Sequence, residues 1–208
     1  MISIVGYGSL LSERSARETV PNLTNYRLVR VPGYRRVFDK VGVVFISRHG
    51  FSPDSLELAS CSTEAADGVE MIAAQFECEE SDFLELYERE HRYRWIEVDT
   101  LHLDTATPSR GRMCTGYSDS DYRLNKCVTD AEYQRRVGQY YSGALWRSDI
   151  LPNPRYLAFC LQAAATQGER VLQNFLDTSF TADGRSLRRY LEDNPGLIPA
   201  ETVEYSYC

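Results

Sequence analysis

The sequence lacks the residue patterns of a metal centre or a disulfide framework. Its six cysteines, Cys61, Cys78, Cys114, Cys127, Cys160 and Cys208, are widely spaced and include no C-x-x-C pair. They read as scattered buried thiols. Only three histidines are present, His49, His91 and His102, and none has the helical spacing of a zinc site, so no metal is expected. No apolar run approaches the ~20 residues of a spanning helix. No basic segment leading into a long apolar stretch opens the chain, as it would in a signal peptide. No membrane contact is therefore expected, and the cytoplasm is the expected compartment. Basic residues are not in excess either: 23 Lys and Arg stand against 30 Asp and Glu, a net charge of −7 spread along the chain. That balance argues against a nucleic-acid surface.

What is present is an ordinary globular composition, with 43% hydrophobic and 25% charged residues in 208, enough to bury a substantial core. Through about residue 118 the pattern is one of short β segments. They are Tyr26 to Phe38, broken by Pro32-Gly33, then Val41 to Ser47, Leu56 to Ser62, Val69 to Phe76, Trp95 to Leu103 and Met113 to Tyr117. So many short strands in one block suggest a curled or closed sheet. One helix, roughly Ser81 to Arg92, interrupts them, with Phe83, Leu84 and Tyr87 as its apolar face. From Thr129 the pattern turns helical: Asp130 to Tyr141, a run opened by the Asn153-Pro154 cap through Ala165, Glu169 to Leu176, and Ser186 to Glu192. The expected architecture is α+β, a small closed mixed β-barrel with flanking helices. Residues 1–157 would form the domain, and 158–208 a helical C-terminal extension packed on it.

Two segments carry chemistry. The first is Ile2-Ser3-Ile4-Val5-Gly6-Tyr7-Gly8-Ser9-Leu10, an apolar strand running into a glycine-flanked turn. Glycines let a ligand approach the main chain closely, and the amides of Gly8, Ser9 and Leu10 can converge on an anion. An ordinary strand-to-loop turn would have the same composition. The second is Glu85 to Val98, where a carboxylate-rich helix end passes directly into an apolar strand. Glu90 sits at that junction and is a candidate general acid/base. A solvated face, with Glu85, Glu88 and Glu90 pairing to Arg89, Arg92 and Arg94, is the plainer reading.

Taken together, the Gly6-Tyr7-Gly8-Ser9-Leu10 turn and an Arg89-Glu90 helix end some eighty residues later resemble the γ-glutamylcyclotransferase-like family. The resemblance runs over about residues 2 to 157. It includes Gly68-Val69, Tyr93, Ile96-Glu97-Val98 and the element Leu151-Pro152-Asn153-Pro154-Arg155-Tyr156. It implies that Gly6, Tyr7, Gly8, Ser9 and Leu10 bind a γ-glutamyl group, that Glu90 is the catalytic acid/base, and that Tyr133 closes over the substrate. The implied reaction is cofactor-independent. The α-amino nitrogen of a small γ-glutamyl substrate attacks its own γ-carbonyl, releasing 5-oxoproline and an amine. Two departures bear on substrate: Leu10 stands where many members have Asn, as in the glutathione-degrading ChaC-type branch, and His91 stands where a glycine often follows the glutamate. Two other readings stay open at this point. One is a cysteine nucleophile, Cys61 or Cys114 with His91 or His102; the other is a non-catalytic binding module on the same fold.

Overall fold

The computed structural model describes residues 1–198, so Cys208 lies outside the described residues. Six strands form one sheet: β1 (Ile2–Gly6), β2 (Thr24–Val41), β3 (Ala59–Cys78), β4 (Arg94–His102), β5 (Pro108–Thr115) and β6 (Ser179–Thr181). Their order is β3-β1-β5-β4-β2-β6, and β2 also pairs with β3, so the first five close into a barrel of mixed direction. Closure is possible because β2 and β3 are long enough to curl. Their antiparallel register slips at Pro32/Tyr34, where Gly33 at φ +77° and Gly68 at φ +75° take conformations that other residues avoid. Pro32-Gly33 therefore bends a continuous strand instead of ending it. For the same reason the segments expected at Leu56 to Ser62 and Val69 to Phe76 are one strand.

Alternation across the barrel wall produces two cores. Val5, Val31, Phe38, Met71 and Met113 belong to the larger one, while Ile4, Phe76, Ala16 and Val20 form a second cluster beneath α1 (Glu13–Thr19) and α3 (Glu80–Arg89). Each large side chain contributes roughly 1.5–3 kcal/mol by leaving water. The buried face of α3 is Phe83 and Leu86, with Leu84 exposed. This differs from the expected Phe83, Leu84, Tyr87 face and has a consequence for the site. Phe83, Leu86, Tyr87 and Glu90 fall at i, i+3, i+4 and i+7, so the helix face that packs inward carries Glu90 with it.

Between β2 and β3 the apolar run expected to be a strand folds instead as α2 (Val43–Ser47), because the chain must reverse there. Phe45 folds back against Gly42, where a Cβ would lie 2.4 Å from its ring, and packs against Tyr156 with the rings tilted and their centres 5.8 Å apart. After β5 come α4 (Asp119–Lys126) and α5 (Asp130–Tyr133), the latter continuing as a wider π turn over Gln134–Gly138. Helices α6 (Pro154–Thr166), α7 (Glu169–Asp177) and α8 (Leu187–Asp193) follow. Leu157, Cys160, Ala164, Phe175 and Leu187 join the larger core, so residues beyond 157 share the barrel's interior packing. Helix α7 is anchored by Asn174, whose Oδ1 accepts from Ile72 N at 2.6 Å while its Nδ2 donates to Glu70 O at 2.9 Å. Among the described residues no helix is long and apolar enough to cross a membrane, and no cluster of three His, Cys, Asp or Glu could hold a metal ion.

Candidate active site

At the end of β1 the chain leaves the sheet through Tyr7 and Gly8 into a 3₁₀ turn, Ser9–Leu11, closed by Leu11 N donating to Gly8 O at 3.0 Å. A turn of this kind leaves its first amides without an internal acceptor. Both flanking glycines are required by close approach. A Cβ on Gly6 would lie 2.3 Å from Leu10 Cβ, and one on Gly8 would lie 2.7 Å from Tyr156 Oη. Gly6→Ala should therefore push the turn off its seat at an overpacking cost of about 1–3 kcal/mol. The expected result is a thermal midpoint lowered by roughly 2–10 °C, and an unchanged midpoint would show that the turn yields without strain.

The turn is also held from behind. Arg36, fully buried on β2, donates from Nε to Tyr7 O at 2.7 Å, from Nη1 to Thr178 Oγ1 at 2.8 Å and from Nη2 to Ile72 O. Its guanidinium stacks on Phe175 at 4.6 Å, and burial lowers its pKa to about 10. Tyr26 Oη donates to Leu11 O at 2.6 Å, and Gln167 Nε2 donates to the same carbonyl at 3.0 Å. Elements from both ends of the chain thus fix one loop.

Gly6, Tyr7, Gly8, Ser9 and Leu10 line a recess of about 30 Å³, and Glu90, Tyr93 and Tyr156 line the same recess. The two sequence segments meet through Arg89. Its Nε lies 3.1 Å from Glu90 Oε1 and its Nη2 donates to Ser9 Oγ at 3.2 Å. In the sequence Arg89 reads as a surface ion-pair partner, yet its side chain is only 10% exposed. Tyr133 lines no part of the recess. Helix α5 carries it against the Arg123 guanidinium at 3.9 Å and the Tyr122 ring at 6.4 Å, and the tyrosine that reaches Gly8 is Tyr156.

His91 does not enter the recess either. It is buried with Nδ1 3.3 Å from Tyr122 Oη, and burial lowers its pKa to about 4. Cys61 and Cys114 do line the recess, but burial pushes both thiols well up, away from the thiolate a nucleophile needs. Neither candidate histidine is on the recess wall to activate them.

Glu90 and Tyr93 also line a second, larger cavity of about 780 Å³. Lys40 is on its wall, although no motif in the sequence marks it. Its Nζ donates to Ser60 Oγ at 3.2 Å and lies 4.4 Å from the centre of the Tyr93 ring. Burial lowers its pKa from 10.5 to about 7, helped by Arg92 and opposed by Glu90 and Asp39. Between those two values the unfolded chain binds more protons than the folded one, so this group makes stability rise with pH. From pH 7 to 8 the wild type should gain about 1 kcal/mol on Lys40→Met. A difference in thermal midpoint that stays flat across that range would show a solvated amine.

No protein-family model matches the sequence, and no curated protein matches it. Solved structures do. One described as a γ-glutamyl cyclotransferase superposes with a TM-score of 0.56 at 12% identity, over 99% of this chain and 92% of that one. The uncharacterized protein loc79017 from Homo sapiens gives 0.55 at 13% identity, with the same coverage of both chains. The closed five-stranded barrel with its flanking helices is thus the γ-glutamyl cyclotransferase-like fold, and this chain has that fold.

Proposed function

We propose that the protein is a γ-glutamylcyclotransferase, acting on a γ-glutamyl peptide or amine and releasing 5-oxoproline. The observation that carries this reading is the recess lined by both the Ser9 turn and Glu90, with the Arg89 guanidinium in contact with each. Nucleophile and electrophile are tethered in such a substrate, so the protein has only to fold it, move protons and stabilise the oxyanion. Glu90 takes a proton from the α-ammonium, freeing the nitrogen lone pair to attack the γ-carbonyl. As the tetrahedral intermediate collapses, Glu90 returns that proton to the departing amine nitrogen, and the ring nitrogen, which carries two protons after attack, gives one up to the released amine to leave the neutral lactam. The amides of the turn hold the substrate carboxylate or the developing oxyanion, and the larger cavity receives the released amine.

Glutathione is the first substrate to assay, because Leu10 follows the ChaC-type loop. The test is a panel comprising glutathione, γ-glutamyl amino acids and Nε-(γ-glutamyl)lysine, each assayed for 5-oxoproline. Release from any member supports the reading. Tight binding with no 5-oxoproline from the whole panel would replace it with a binding module on the same fold.

A further inference from the structure

The larger cavity beside Glu90 has an unusual charge distribution. Among its cations, Arg89 is matched by Glu90 at 3.1 Å, Arg136 by Glu88 at 3.0 Å and Glu132 at 3.1 Å, and Arg135 by Glu132 at 3.7 Å, while Arg48, like Arg135, is exposed. Lys40 and Arg92 have no such match. Lys40 donates only to neutral oxygens, Ser60 Oγ and Val41 O. Arg92 donates from Nη2 to Arg136 O at 2.6 Å, and its buried Nε has no acceptor. Arg92 depresses the protonation of Lys40, and burial acts on both cations in the same direction. Glu18 and Glu85 also line the cavity, but as exposed residues. Two desolvated cations with no carboxylate at ion-pair distance, on the wall of a cavity large enough for a ligand, are costly unless an anion completes them.

We propose that Lys40 and Arg92 form an anion site on the leaving-group side of Glu90, which takes the carboxylate of the amine being released. This rests on the cyclotransferase reading for its position relative to the scissile bond, and it deepens that reading. The preferred leaving group is an amino acid or peptide with a free carboxylate, not a simple alkylamine or a chain-internal lysine. A charge-assisted hydrogen bond of this kind corresponds to a preference of about 10–100-fold. The groups facing Lys40 are Arg92, Glu90, Tyr93, Asp39, Cys114 and Ser60. Of these, Arg92 and burial favour the neutral amine, so binding an anion is coupled to keeping the proton. The preference for acidic leaving groups should accordingly fade as pH rises above 7.

The test compares γ-glutamylalanine with γ-glutamylalaninamide, which differ only in the carboxylate. Wild type should favour the acid by about 10–100-fold in kcat/KM at pH 7, with the ratio falling towards 1 by pH 9. Lys40→Met should lower the ratio at pH 7. Lys40→Arg should restore it and hold it constant with pH. Equal rates on acid and amide in wild type, or a ratio untouched by Lys40→Met, would overturn the site. N-acetylalanine and N-acetylalaninamide, titrated into labelled protein and followed by NMR, separate this proposal from the reaction. Selective shifts with the acid, lost in Lys40→Met, sustain the anion site even if neither γ-glutamyl compound yields 5-oxoproline, whereas equal shifts refute it.

Discussion

Replacing Glu90 by Gln should lower 5-oxoproline release by about 10²-fold or more, with circular dichroism unchanged. The substitution keeps volume and hydrogen-bonding length but removes the capacity to accept a proton. It also removes the charge that meets Arg89 at 3.1 Å. Because Arg89 also holds Ser9 and Thr19, the turn keeps its neighbour when that pair is lost. Glu88→Gln is the matched control. Glu88 is two residues away and its side chain is 59% exposed in a pair with Arg136, a type of contact worth about 0–1 kcal/mol. Its loss should change turnover little. An essential Glu88 beside a dispensable Glu90 would move the active carboxylate to the wrong face of α3.

Blocking the α-amino group of the substrate should abolish the reaction altogether. In an intramolecular aminolysis that nitrogen is the nucleophile, and acetylation delocalises its lone pair while adding bulk where the turn closes on the substrate. An N-acetyl-γ-glutamyl compound should therefore give neither 5-oxoproline nor free amine. Amine release at an undiminished rate, with N-acetylglutamate as the other product, would mean that water is the nucleophile, and the protein would be a hydrolase. The measurement separates two reactions that could use the same recess, because both would need an acid/base carboxylate and an oxyanion site.

Much of the fold was legible where a local signal and the tertiary outcome agree. The Asn153-Pro154 cap opens α6, with Asn153 Oδ1 accepting from Tyr156 N at 3.1 Å, and the glycine-flanked turn does end β1. The reading went astray where packing overrides pattern. Val43 to Ser47 is rich in β-branched residues yet coils, with Phe45 packed on Tyr156. Helix α4 is too polar to show an apolar face, burying only Tyr122, and relies on Ser118 accepting from Asp121 N at 3.0 Å. Three-residue β6 is visible only through its parallel pairing with Arg36, Val37 and Phe38. The same limit applies within the site. Glu90 and the turn announce themselves by residue type and spacing, whereas Arg36 and Lys40 look like exposed strand cations, and their burial comes from partners on other elements, among them Thr178 for Arg36 and Ser60 and Tyr93 for Lys40.

The two hydrogen bonds of Asn174 matter beyond the attachment of α7. Strand β1 covers β3 from Cys78 down to Ala74 and then turns away at Gly6. The next positions of that same edge, Ile72 and Glu70, are the ones that Asn174 occupies. A single side-chain amide there mimics one rung of a missing strand. Left open, those rungs would invite an extended segment of another molecule to dock, since unpaired strand edges template strand addition. Where the chain departs into the Ser9 turn, strand pairing on that edge of β3 stops, and a residue far along the sequence takes over its hydrogen bonds.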